Sequence, residues 1–220
     1  VKAAESATYT AALLERKRLS DGTFELRLGR PEGFDFLPGQ RILVFSDGEQ
    51  RDYSLAGSPR DRVLALCVRR VGSGRVSPIL CSAERGDQIR FSGPHGYFLF
   101  RPSGRPAVFV ATGTGAAPFA SMARSTAGQF TMIHGVRQVD ELYYAGLFRE
   151  RAGRYVPCIS GPFHPSNGIF AGRVTHYLAS QLKPGSFDFY LCGRGEMIRD
   201  VTWLVDERFP GSWVYTERFF

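Results

Sequence analysis

The 220-residue chain is 43% hydrophobic, enough for a sizeable core in one large domain or two small ones, and its apolar runs, such as 107–111, fall far short of the ~20 residues that cross a bilayer. The formal net charge of +7 is carried almost wholly by arginine, which suits bidentate recognition of phosphate or an acidic protein partner and equally a plain solvated surface; without a basic tail or a nucleic-acid module, nucleic acid is not an expected partner. Cys67, Cys81, Cys158 and Cys192 lack the spacing that holds zinc or an iron–sulfur cluster and do not form a disulfide framework, so no metal site is expected, any inorganic redox centre belongs to a partner, and a cytoplasmic location is expected.

The chain begins with Val1 rather than Met, which allows for a short leader ahead of it, and shows no apolar signal segment. The first hundred residues then read as short strands at 9–17, 23–28, 41–45, 52–55, 63–69 and 88–91. Turn residues such as Pro38-Gly39 and Arg85-Gly86-Asp87 separate them, a spacing that points to an antiparallel barrel or sandwich. On the fourth strand, Arg51-Asp52-Tyr53-Ser54 sets a guanidinium, an aromatic ring and a hydroxyl close together, able to serve a phosphate, a planar ring and a ring nitrogen. Taken singly, Tyr53 also suits a core and Arg51 a surface. Within Gly72-Ser73-Gly74-Arg75-Val76-Ser77-Pro78, Ser77 is expected as the N-cap and Pro78 as the first residue of a short helix ending near Ala83. A glycine-rich entry to a helix is a phosphate cradle or an ordinary capped loop.

Beyond 101–106 the texture changes. Apolar strands at 108–112, 130–134, 155–159, 188–191 and 213–215 alternate with helical stretches at 140–149, 172–181 and 196–208, the last keeping Met197, Val201, Leu204 and Val205 at helical spacing. Such alternation predicts a parallel α/β sheet, and hence two domains, 1–102 and 103–220, with no internal repeat. The strand ending at Thr112 runs into Gly113-Thr114-Gly115-Ala116-Ala117-Pro118 and a helix. This is a dinucleotide-type loop, with proline in place of the usual third glycine, or a tight strand–helix turn.

Joined in this order, these segments resemble the ferredoxin–NADP reductase family of flavoproteins. The resemblance continues through Gly86-Asp87, Gly93-Pro94-His95-Gly96-Tyr97-Phe98, Tyr190-Leu191-Cys192-Gly193 with Met197-Ile198, and Glu217-Arg218-Phe219, and it covers 9–220. It implies an N-terminal Greek-key β-barrel for FAD and a parallel Rossmann-like α/β domain for NAD(P)H. By matching position, Arg51 and the backbone of Gly74, Arg75, Val76 and Ser77 would hold the FAD pyrophosphate, Tyr53 would pack on the isoalloxazine and Ser54 would hydrogen-bond near flavin N5. Thr112, Gly113, Thr114, Gly115 and Pro118 would take the nicotinamide dinucleotide, with Cys192, Gly193 and Met197 beside it. Phe219, and second Phe220, would cover the flavin face. Ser54 and Glu217 are then the proton-handling pair, and Cys192 is a small, polarizable neighbour of the nicotinamide.

The sequence departs from the family where NADP-specific members carry a Ser-Arg pair, since here Ser160-Gly161-Pro162 stands. Arg137 and Arg173 remain candidates for a 2′-phosphate, and NADH and NADPH both stay open. With no cluster-spaced cysteines, electrons are expected to leave to another polypeptide, an acidic ferredoxin or flavodoxin, or to a small acceptor. The alternatives are the reductase component of an oxygenase system, a flavin-binding interaction subunit without turnover, and a flavin-free NAD-dependent dehydrogenase.

Overall fold

The computed structural model describes residues 7–126, 130–164 and 168–219, in two compact units, Val1–Leu99 and Phe100–Phe220. The first unit is built from β1 (Thr8–Ser20), β2 (Thr23–Gly29), β3 (Arg41–Ser46), β4 (Glu49–Ser54), β5 (Val63–Arg69) and β6 (Gln88–His95), with one helix, α1 (Val76–Ser82). The strands pair antiparallel in the order β4-β3-β6-β1-β2-β5. A bridge between Leu55 and Leu66, and an Ala56 N–H that donates to the Ala65 carbonyl at 2.8 Å, tie the two edge strands together. These contacts close the sheet as a barrel at that corner.

Alternation of apolar side chains along the strands sends Leu13, Leu26, Leu28, Ile42, Val44, Leu66 and Phe91 into one core, which Val76, Leu80 and Cys81 of α1 plug. Phe34 meets Tyr9 and Phe91 edge-on, at centroid distances of 5.1 and 5.6 Å, the arrangement that ring quadrupoles favour. Ser77 is not the N-cap. The helix begins two residues earlier, behind Arg75, with no side-chain cap, and the Ser77 hydroxyl accepts the Val71 N–H at 3.0 Å, closing the 71–77 turn instead. Pro78 becomes the third helical residue, still in the first turn, where its missing N–H costs nothing.

The second unit alternates strand and helix: β7 (Ala107–Thr112), α2 (Ala116–Ser125), β8 (Phe130–Val136), α3 (Ala145–Arg151), β9 (Arg154–Ile159), β10 (Phe170–Ala171), α4 (Val174–Gln181), β11 (Asp188–Gly193), α5 (Gly195–Arg208) and β12 (Trp213–Arg218). All its strands run parallel, in the order β10-β9-β8-β7-β11-β12. The stretch 140–149, expected as one helix, is instead a 3₁₀ turn at Val139–Glu141 followed by α3. Glu141 reaches back to accept the Arg137 and Gln138 N–H groups at 2.9 and 3.1 Å, and Tyr144, at φ 60°, turns the chain before α3 starts.

Strand order reverses at β7, with β8, β9 and β10 to one side and β11 and β12 to the other. The crevice beyond the carboxyl ends of β7 and β11 is thus the switch point at which open parallel sheets bind ligands. Among the described residues, no helix is long and apolar enough to cross a membrane.

Candidate functional site

In the first unit, β4 projects three of the candidate residues. Arg51 donates to Glu49 Oε2 at 3.2 Å, and Arg75, arriving from the turn before α1, donates to Glu49 Oε1 at 3.3 Å. Two guanidinium groups from different elements therefore converge on one carboxylate, an anion about the size of a phosphate. Tyr53 is half-buried and packs against the barrel core, and burial, followed by neighbouring Cys81, pushes its phenol well above the usual range, with Arg51 opposing. Ser54 is 3% exposed and its Oγ has no hydrogen-bond partner among the described residues. A buried hydroxyl with no partner is costly unless something else completes it. Converging cations for a pyrophosphate, a half-buried ring and an unspent hydroxyl fit a bound flavin dinucleotide. Gly74 itself sits in a tight turn, its N–H on the Val71 carbonyl at 2.9 Å, and Val76 is buried in the core.

In the second unit, the candidate residues fall at the carboxyl ends of the parallel strands. Thr112 ends β7 and its Oγ1 accepts the Arg194 N–H at 3.1 Å. The Gly113–Gly115 turn leads directly into α2, with Pro118 in the first helical turn. Its two glycines do different work. Gly113, at φ 54°, has open space around it, whereas a side chain on Gly115 would collide with the Cys192 carbonyl, so Gly115 lets the loop lie against β11. Gly193, at φ 138°, is held close in the same way, since a side chain there would strike Thr112 Oγ1.

Cys192 is fully buried and stands in register between Ala111 and Glu217. Burial, reinforced by Glu217, pushes its thiol well up, which favours the neutral form. Glu217 lies near the end of β12, half-buried. Met197 packs into the core beside Val201 and Leu191. On the other side of the switch point, Arg137 and Ser160 follow β8 and β9, with the Gly161 N–H donating to the Arg137 carbonyl at 3.0 Å. Arg173 follows β10 and precedes α4, exposed. The Arg137 guanidinium is exposed and has no partner among the described residues. Phe219 donates its N–H to the Gly193 carbonyl at 2.9 Å and, with Arg194, Gly195, Glu196, Ile198 and Arg218, lines a cleft of ≈ 800 Å³. Phe219 is half-buried, and Trp213, at the start of β12, is 59% exposed. Phe220 lies outside the described residues.

Sequence reading missed Glu49, Arg194, Arg218 and His134. Glu49 carries no motif; its role emerges only when β4 and the 71–77 turn are brought together. Arg218 was a letter inside Glu217-Arg218-Phe219, and only the fold shows its guanidinium against Gly195.

Residues 10–100 match the family described as oxidoreductase FAD-binding domain, and residues 109–202 the one described as oxidoreductase NAD-binding domain. The 2-halobenzoate 1,2-dioxygenase electron transfer component of Burkholderia cepacia is 30% identical over 98% of this chain and 68% of its own length. The toluate 1,2-dioxygenase electron transfer component of Pseudomonas putida is 31% identical over 91% of this chain and 64% of its own. A cytochrome P450 reductase of Amycolatopsis superposes with a TM-score of 0.85 at 28% identity, over 97% of this chain and 71% of that one. For a ferredoxin NADP+ reductase of Neisseria gonorrhoeae with bound FAD and NADP the figures are 0.80 and 25%, over 98% and 100%. An antiparallel barrel joined to a parallel nucleotide-binding sheet defines a class of flavin- and nicotinamide-dependent oxidoreductases. This chain belongs to the ferredoxin–NADP reductase family within it. It spans roughly two thirds of the length of the dioxygenase components it matches, 64% and 68%.

Proposed function

We propose that the protein binds FAD in the first unit and a nicotinamide dinucleotide in the second, and moves electrons between NAD(P)H and a separate one-electron carrier. The observation that carries this reading is the convergence of Arg51 and Arg75 on a single anion at the start of β4, the strand whose far end carries the unpartnered Ser54 hydroxyl. Arg51, Arg75 and the 74–77 backbone would bind the pyrophosphate, Tyr53 would pack on the ring and Ser54 would offer its proton at the ring nitrogen. The amides of the Gly113–Gly115 turn and the start of α2 would bind the dinucleotide phosphates. Bound FAD supplies the link between two-electron hydride chemistry and one-electron delivery. Cys192, kept neutral, gives the nicotinamide end a small polarizable neighbour, while Glu217 and Ser54 hold the exchangeable protons.

The acceptor we favour is an acidic electron-carrier protein, given the +7 balance. A second reading, the reductase component of an oxygenase system, is supported by relatives named as dioxygenase electron transfer components. Four buried free thiols, Cys67, Cys81, Cys158 and Cys192, support the cytoplasm as the place of action.

An absorption spectrum and the nucleotide released on denaturation test the first half: a flavin spectrum and FAD are expected, and a colourless protein or released FMN would refute it. Anaerobic titration with NADH and NADPH tests the second. If Arg137 contacts a 2′-phosphate, Arg137→Ala should weaken NADPH alone; an unselective effect assigns Arg137 to the solvated surface.

A further inference from the structure

His134 sits near the end of β8, opposite Ala111 of β7 and fully buried in a mostly apolar strand. An apolar residue of similar shape would fill that space without a polar group to satisfy. The histidine instead points its Nε2 at the Gly113 carbonyl, 3.3 Å away, and its Nδ1 toward the Tyr155 hydroxyl at 3.5 Å, with Phe148 edge-on to the ring. A carbonyl only accepts, so Nε2 carries the proton; Nδ1 of the neutral ring is then an acceptor, and Tyr155 donates to it. The Arg149 guanidinium lies over the Tyr155 ring, 5.7 Å from its centroid.

The Gly113 carbonyl also accepts the Ala116 N–H, so both of its lone pairs are used inside the protein. Because a trans peptide holds its C=O and the following N–H on opposite sides of one plane, drawing the Gly113 oxygen inward turns the Thr114 N–H outward. Gly113 has no side chain to resist rotation of that plane, and its surroundings are open. The inward contacts are what fix it.

We propose that His134, backed by Tyr155, is a positioning residue for the nicotinamide-dinucleotide loop, setting the Gly113–Thr114 peptide so that its amide faces the bound phosphate. This rests on the functional reading above, in which that loop takes the dinucleotide.

The test titrates NADP+ and NAD+ into the oxidised FAD-loaded protein, following the flavin difference spectrum. His134→Phe should weaken nucleotide binding by about tenfold, the equivalent of one ordering hydrogen bond, with FAD content unchanged. His134→Gln, whose Nε2 reaches the same point as a donor, should restore binding to within about threefold of the parent. Parent-like binding by His134→Phe, or no rescue by Gln, would overturn the proposal. Should His134→Phe fail to fold, ¹⁵N-detected histidine shifts of the parent decide it: an Nε2–H tautomer supports the proposal and an Nδ1–H tautomer overturns it. A parent that keeps its FAD yet binds neither nucleotide would overturn the functional reading instead, and this inference with it.

Discussion

Glu49 holds the two guanidinium groups assigned to a phosphate, and that makes it both an organiser and a competitor of the cofactor. Arg51→Ala should weaken FAD binding by about 1.5–3 kcal/mol, the worth of a charge-assisted contact, and leave nicotinamide affinity nearly unchanged; titration of apoprotein with FAD measures it. Glu49→Gln should act oppositely, tightening FAD by up to about fivefold at low salt, since an exposed ion pair is worth at most about 1 kcal/mol and is screened by electrolyte. Equal losses of FAD and nucleotide in Arg51→Ala would count against the assignment. His134 has a separate signature in stability. Burial, partly offset by the hydrogen bond to Gly113, lowers it from 6.5 to about 4. Between those values the unfolded chain takes up a proton that the folded chain refuses. Its contribution is therefore complete above about pH 6.5 and is lost as pH falls toward 4, on the order of 3 kcal/mol in all. Denaturant titrations at pH 7 and pH 4.5 should show that slope, and His134→Gln should flatten it.

At the scale of elements, the end of β12 is the informative one. Phe219 lines the cleft at the start of α5, and on the proposed reading its ring stands where the nicotinamide end of the dinucleotide would enter. Phe219→Ser should tighten NAD(P)+ by about 0.5–1.5 kcal/mol, the value of an aromatic contact, with an unchanged melting temperature; a lower melting temperature and parent-like binding would make Phe219 a packing residue. Much of this architecture is legible in the sequence. Strand β5 and the helix α5 follow directly from turn residues and from the spacing of Met197, Val201 and Val205, and the Arg51–Ser54 and Gly113–Pro118 segments lie, as read, on a strand and at a strand–helix junction. The rest depends on partners distant in sequence. Strand β6 runs on past Phe91, its expected end, to His95, because β3 pairs with it that far. Ser77 reads as a cap because local spacing cannot reveal that Val71 claims its hydroxyl. The 140–149 stretch has helical periodicity throughout, yet Glu141 is engaged with Arg137 and Gln138 and Tyr144 turns the chain. Glu49 and His134 carry no local signature at all, since each is defined by what the fold sets opposite it.

For the whole molecule, the arginine-rich balance sets the expected behaviour with a partner. Reduction of an acidic ferredoxin or flavodoxin should slow as ionic strength rises, whereas reduction of a small neutral dye should hardly change, because long-range attraction between large charged surfaces is screened and a dye feels little of it. Stopped-flow rates across a salt series make the comparison, and salt-independent protein reduction would remove charge as the basis of recognition. The barrel carries a different consequence. Strand β1 divides its pairing, Thr8–Ala12 with β6 and Leu13–Ser20 with β2. Its second half zips to the next strand in the chain, but its first half must wait for the last strand of the unit. Closure is thus a long-range event of high contact order, of the kind that folds in milliseconds to seconds rather than microseconds. Until β6 arrives, the start of β1 is an unpaired edge, so nascent or refolding chains are most open to aggregation in that interval, and lowering protein concentration should raise refolding yield more than stabilising the finished barrel does.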